Sequence, residues 1–196
     1  MCLALGIGLL TSLPSSAELP PASGRRVESA ASVDGSAKAK FAEALGLYRA
    51  GDFRGALPAF TEIVDTTRSP NARLYVGHCL TQLGRTAEAY RAFALTVKEI
   101  VDHPADKYET TREAAQAQLA ILEVRVAKVV LVVPEVPPGF AMSLDGTSVA
   151  EKDFGSTIVI EPGVHRIVAS ATGYESTVRA ASAPSGCVCS RQKGNR

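Results

Sequence analysis

The sequence has no tryptophan, six phenylalanines and five tyrosines, three histidines and four cysteines among 196 residues. So few rings argue against a carbohydrate platform or a base-stacking surface, both of which rely on aromatic faces. Neither charge is in surplus: 21 Lys and Arg against 20 Asp and Glu leave a net charge of +1. No global field therefore draws the chain to nucleic acid or to an anionic membrane. The cysteines, Cys2, Cys79, Cys187 and Cys189, are too few and too irregular for a disulfide framework. Cys187-Val188-Cys189 offers half a zinc site at most. It reads as tail thiols, or as thiols paired with each other or with another chain. His78, His103 and His165 fall on three separate segments without a carboxylate at ligand spacing, and His78-Cys79 reads as helix packing. No nucleophile elbow, zinc-protease helix motif or phosphate-cradling glycine loop occurs. These absences predict a non-enzyme with no cofactor and no metal.

Long hydrophobic runs are also missing. The one apolar stretch, Cys2 to Leu10, is shorter than the ~20 residues a bilayer span needs. It is followed by Thr11-Ser12-Leu13-Pro14-Ser15-Ser16-Ala17, with Ser15 and Ala17 placed as the two small residues of a cleavage site. Residues 1–17 are thus expected to be a secretory signal, and the protein to be exported to the periplasm or cell surface with no transmembrane helix in the mature chain. No Lys or Arg precedes the apolar run, which a start upstream of Met1 or a weak signal would explain. Residues 18–36, rich in Pro, Ala, Ser and Gly and without apolar periodicity, read as a flexible linker.

From Ala37 the pattern is helical. Phe41, Ala44, Leu45 and Tyr48 share one helix face, Gly51 supplies a left-handed stop and Asp52 an N-cap. Ala56, Leu57, Phe60, Ile63 and Val64 make a second apolar face, and Ser69-Pro70 begins another helix. The pattern then recurs: Ala44 answers to Gly77, Leu47 to Leu80, Gly51 to Gly84, Ala56 to Ala89 and Phe60 to Phe93, each pair 33 residues apart. Small residues at 44, 77, 56 and 89 let paired helix axes approach, and the two phenylalanines fill the space between hairpins. Two units cannot bury their faces alone. Thr110-Thr-Arg-Glu113 has the form of a capping box, and Ala115, Leu119, Leu122 and Val126 follow it at helical spacing. A closing helix is expected over roughly Asp106 to Val124.

These residues resemble the tetratricopeptide repeat over Ala37 to Val101, with Ala44 where that family favours Gly and Leu47 and Leu80 where an aromatic is common. The resemblance implies a groove lined by the first helix of each hairpin that grips a protein or peptide. Its lining would be Lys38, Phe41, Leu45, Tyr48 and Arg49, then Asn71, Leu74, His78, Thr81 and Gln82. This set lacks the Lys, Arg and Asn combination that clamps a C-terminal carboxylate. Tyr48 suits a wet groove and suits plain helix packing equally well.

After Ala127 the period shortens to that of strands. Val129–Val133, Ala141–Leu144, Thr157–Ile160, Val164–Ser170 and Ser176–Ala180 read as five strands, with turns at Pro137-Pro138-Gly139, Asp145-Gly146 and Pro162-Gly163. Asp145 is expected to serve backbone geometry, and Tyr174 to be a core or corner ring. The segments Leu144-Asp145-Gly146, Glu161-Pro162-Gly163-Val164 and Gly173-Tyr174 resemble the PEGA domain over Ala127 to Ala181. That resemblance implies a small β domain without catalytic residues, and its pairing with helical repeats resembles myxobacterial envelope proteins. The expected fold class is α+β, in two modules: an α-helical repeat of about five helices over 37–126 and a small antiparallel β-sandwich over 127–181, with a polar tail over 182–196. The expected function is an exported scaffold or adaptor that binds a protein partner through the helical groove. The alternative is a cell-wall or polysaccharide-binding β domain with the helices as spacer.

Overall fold

A computed structural model describes residues 24–186 and 188–190, with side chains from 35 to 186. The chain forms two units, Met1–Ser36 and Ala37–Arg196. The expected signal, residues 1–17, and the cysteine side chains at 187 and 189 lie outside what is described. Helix α1 runs from Gly24 to Arg49. Residues 24–36 are therefore helical where their composition reads as linker. Alanine and the long polar side chains there are adequate helix formers, and a missing apolar stripe removes the amphipathic signal, not the propensity.

Among the described residues five α-helices are followed by seven strands, an α+β architecture in which a helical repeat precedes a small β-sandwich. After α1 come α2 (Phe53–Thr67), α3 (Pro70–Gln82), α4 (Thr86–Asp102) and α5 (Glu109–Glu123). The two interhelical turns have the same hydrogen bonds, shifted by 33 residues. Gly51 N–H donates to the Tyr48 carbonyl at 3.0 Å and Asp52 N–H to that of Leu47 at 3.0 Å; Gly84 N–H donates to Thr81 at 3.1 Å and Arg85 N–H to Leu80 at 2.9 Å. Both glycines adopt positive φ, 79° and 75°, where a Cβ would be strained.

The small residues do as their spacing requires. Ala44, Ala56, Ala89, Phe60 and Phe93 are all fully buried. At Gly77 an added Cβ would sit 2.5 Å from the Phe93 ring, so this pair of helices meets at a contact that glycine alone permits. Helix α5 closes the stack: Ala115 and Leu122 share a core with Leu80, Ala89 and Phe93. The capping box expected at Thr110 does not form. A 3-10 turn, Asp106–Tyr108, leads into α5, whose N-cap is Tyr108 without a side-chain cap, so Thr110 already lies inside the helix. The hydroxyl of Thr111 instead donates to the Asn71 side-chain oxygen on α3.

Val126 and Ala127, both buried, turn the chain from α5 straight into the sandwich. One sheet has the order β4 (Thr157–Ile160), β1 (Ala127–Val130), β7 (Val188–Ser190); the other has β3 (Thr147–Val149), β2 (Ala141–Leu144), β5 (Gly163–Ser170), β6 (Thr177–Ala183). All pairings are antiparallel except β1 with β7. Strands β3 and β7 add to the five expected, and β6 and β7 extend into the stretch read as polar tail. Ala127, Val129 and Ile160 from one sheet meet Leu144 and Ala183 from the other in a common core. Tyr174 is not in it: the ring is 72% exposed, because Gly173 and Tyr174 sit in a turn outside the sandwich. No helix among the described residues is long and apolar enough to cross a membrane.

Candidate functional site

Four rings, Phe41 and Tyr48 on α1 and Tyr75 and His78 on α3, sit on the first helices of the two hairpins. Tyr75, on α3, stacks on Phe60 with centroids 5.0 Å apart, and meets Phe41 at 5.7 Å and Tyr48 at 5.2 Å edge to face. Tyr48 also packs on Phe53 at 5.4 Å. His78, one helical turn past Tyr75, lies 6.1 Å from it and 5.3 Å from Phe93. A continuous aromatic string thus joins α1, α2, α3 and α4. Edge-to-face and offset contacts of this kind each add about 0.5–1.5 kcal/mol beyond burial.

Phe41, Leu45, Tyr48, Leu74 and His78 are all half-buried, presenting one side to the core and another to solvent. Burial raises the Tyr48 hydroxyl above its ordinary value, and burial lowers His78, which favours the neutral ring at pH 7. Arg49 and Gln82 are exposed at the C-terminal ends of α1 and α3. Leu45 packs on the first core and Leu74 on the second. Two further polar positions are engaged internally: Thr81 Oγ1 donates to the Gly77 carbonyl at 2.9 Å, and Asn71 accepts from Thr111. The structure therefore brings Phe41, Tyr48 and His78 together around Tyr75. Sequence reasoning missed Tyr75, because the residue 33 positions earlier is Ala42 and the repeat carries no cue to it.

Behind this face, α3 and α4 are tied by an ion pair between Arg73 and Glu99. Burial lowers the Arg73 guanidinium below its usual value. A cleft of about 230 Å³ beside the pair is lined by Val64, Val76, Leu80 and Leu95 among others. Cys79, on the inner face of α3, is fully buried, and burial pushes its thiol up to about 11, so it is a packing residue and not a nucleophile. Among the described residues no three His, Cys, Asp or Glu side chains are placed to hold a metal ion.

A second polar cluster lies where the helices meet the sandwich. Tyr90 Oη donates to Glu123 at 2.7 Å, and Glu123 pairs with Lys128, whose ammonium also lies 5.3 Å from the Tyr90 ring centroid. This ties α4 and α5 to β1. Nearby, Arg91 Nη1 donates to the Val159 carbonyl at 2.6 Å, and the Glu161 carboxylate accepts from the Ala87 N–H at 2.7 Å. No family model, curated protein or solved structure matches the chain.

Proposed function

We propose that the protein is a non-catalytic, exported scaffold of the cell envelope that holds a segment of a protein partner against the first helices of its two hairpins. The observation that carries the reading is the half-buried string Phe41, Tyr48, Tyr75 and His78. It combines apolar ring faces with polar tips, held rigid by the core behind it, and such rings lose little entropy on contact. The repeated turn geometry is what a tetratricopeptide-like unit would need, and the sandwich, with its Glu161-Pro162-Gly163 turn, is what a PEGA-like domain would supply. Two hairpins and one closing helix make a short surface, which suits a contact of modest affinity within a larger assembly. Cross-linked capture from an envelope fraction should recover one defined protein with the natural chain, and lose it with Tyr48→Ala plus Gln82→Ala. Recovery unchanged by the double substitution would overturn the reading.

A wall-binding reading has its own observation: Val164, Val178 and Tyr174 of the β domain are 75%, 51% and 72% exposed. Sedimentation with purified cell wall that survives the helical double substitution but is lost on deleting Ala127 to Ala181 would favour it.

A further inference from the structure

Helix α4 has no cap of its own. Its N-cap residue is Arg85, whose side chain makes no cap bond and pairs with Glu88 at 2.6 Å instead. The cap comes from the sandwich: the Glu161 carboxylate on the Ala87 amide, at the positive end of the helix dipole. Glu161 begins the β4–β5 turn, and its own carbonyl accepts from His165 Nε2 at 2.7 Å. The other ring nitrogen, Nδ1, lies 2.6 Å from Asp145 Oδ2 in the β2–β3 turn, with His165 only 11% exposed. Asp145 is fixed in turn, its Oδ1 accepting from Arg166 N–H and its own N–H donating to the Arg166 carbonyl, each at 2.8 Å.

A ring between a carboxylate and a carbonyl faces two acceptors. Neutral imidazole has a single N–H and satisfies one of them, leaving the other nitrogen's lone pair against an oxygen; imidazolium satisfies both. We propose that His165 is a proton-operated latch: charged, it ties the Asp145 turn to the Glu161 turn and so holds Glu161 on the first turn of α4, and on losing its proton it releases one tie and loosens the sandwich's grip on the helical repeat.

The surroundings agree. Burial opposes the charge on His165, but the hydrogen bonds to Asp145 and to the Glu161 carbonyl outweigh it and raise the ring above its ordinary value. The same contact with His165, followed by the Arg166 amide, holds the Asp145 carboxyl below its usual range. On β6 the residue paired with His165 is Ala181, and the next charged group on that face is Arg179, paired with Ile167. From α4 come Arg85 and Glu88, paired with each other, and Arg91, occupied by the Val159 carbonyl. A histidine raised on folding stabilises fully below its unfolded pKa of about 6.5, and that contribution is lost as pH rises through the folded value.

Residue-resolved NMR of the whole chain tests this directly. The His165 ring should titrate above the ordinary value. The Ala87 amide should shift with the same midpoint, and its exchange protection should fall about tenfold above it. In His165→Gln the Ala87 protection should be low and independent of pH across this range. An Ala87 amide whose protection is flat through the His165 titration, or a His165 that titrates at or below the ordinary value, would sink the proposal; both are read on the natural protein, so neither depends on the variant folding.

Discussion

The two hairpins are one turn built twice, except where the second helix begins. In the first, Asp52 caps α2 locally, its Oδ1 accepting from Gly55 N–H at 2.9 Å. Thirty-three residues on stands Arg85, which cannot cap, and the duty passes to Glu161, 74 residues from Ala87. The cores differ in the same direction: Ala44 faces Phe60 in one unit, whereas Gly77 brings the α3 backbone against Phe93 in the other. The first hairpin is self-sufficient at its turn, and the second is finished by the sandwich. Repetition in sequence therefore does not make the units energetically alike. It is on the second hairpin that α4 meets the sandwich, through Glu161 on the Ala87 amide and Arg91 on the Val159 carbonyl.

That contrast can be broken at several points. Phe93→Ala and Phe60→Ala should both cost the most, about 3–5 kcal/mol each, since both rings are fully buried. Denaturant unfolding followed by separate probes in the helices and the sandwich should show both regions melting together with Phe93→Ala. Gly77→Ala comes next, at about 1–3 kcal/mol, because its methyl collides with the Phe93 ring; Ala44→Gly in the first unit should cost about 1–2 kcal/mol, from helix propensity and the loss of a buried methyl rather than from a clash. Asp52→Ala should cost about 1 kcal/mol, seen as a lower urea midpoint at unchanged slope. The smallest and sharpest test is Arg85→Asp, which gives α4 a local cap. Alone it should change stability by less than about 1 kcal/mol, yet it should reduce what Glu161→Gln costs, so the double-mutant cycle shows coupling where two sites without a shared partner would add.

Much of this was legible in the sequence, because local rules decide it. Gly51, Gly84, Asp52 and Ser69 mark the turns and caps, and Ser69 Oγ accepts from Ala72 N–H at 3.4 Å. Features that depend on distant partners were not legible. Glu161 reads as part of a turn, and nothing near it points to a helix start so far back in the chain. Thr110 to Glu113 has the right letters two residues too late, because the preceding 3-10 turn starts the helix at Glu109 with Tyr108 at the N-cap. Strand β3 is three residues long and β7 lies in a polar, cysteine-bearing stretch, so neither shows alternation. Among the site residues, Phe41 and Tyr48 share a face by the helical period, and they and His78 are placed in a groove by the resemblance to the repeat family. Tyr75 is not, since its importance arises from stacking across hairpins.

The parallel pairing of β7 with β1 has a consequence for the order of assembly. Strand β1 sits between β4 and β7, so the first strand of the sandwich is completed by the last described segment, Val188–Ser190. The helical hairpins join neighbours close in sequence and can form as soon as they leave the ribosome. The β4-β1-β7 sheet has to wait until Val188–Ser190 has been made, because closing so long a loop costs entropy before any contact rewards it. During synthesis α4 therefore stands uncapped, and β1 keeps an open edge, until the remaining strands arrive. A chain stopped before Val188 would carry that open edge permanently.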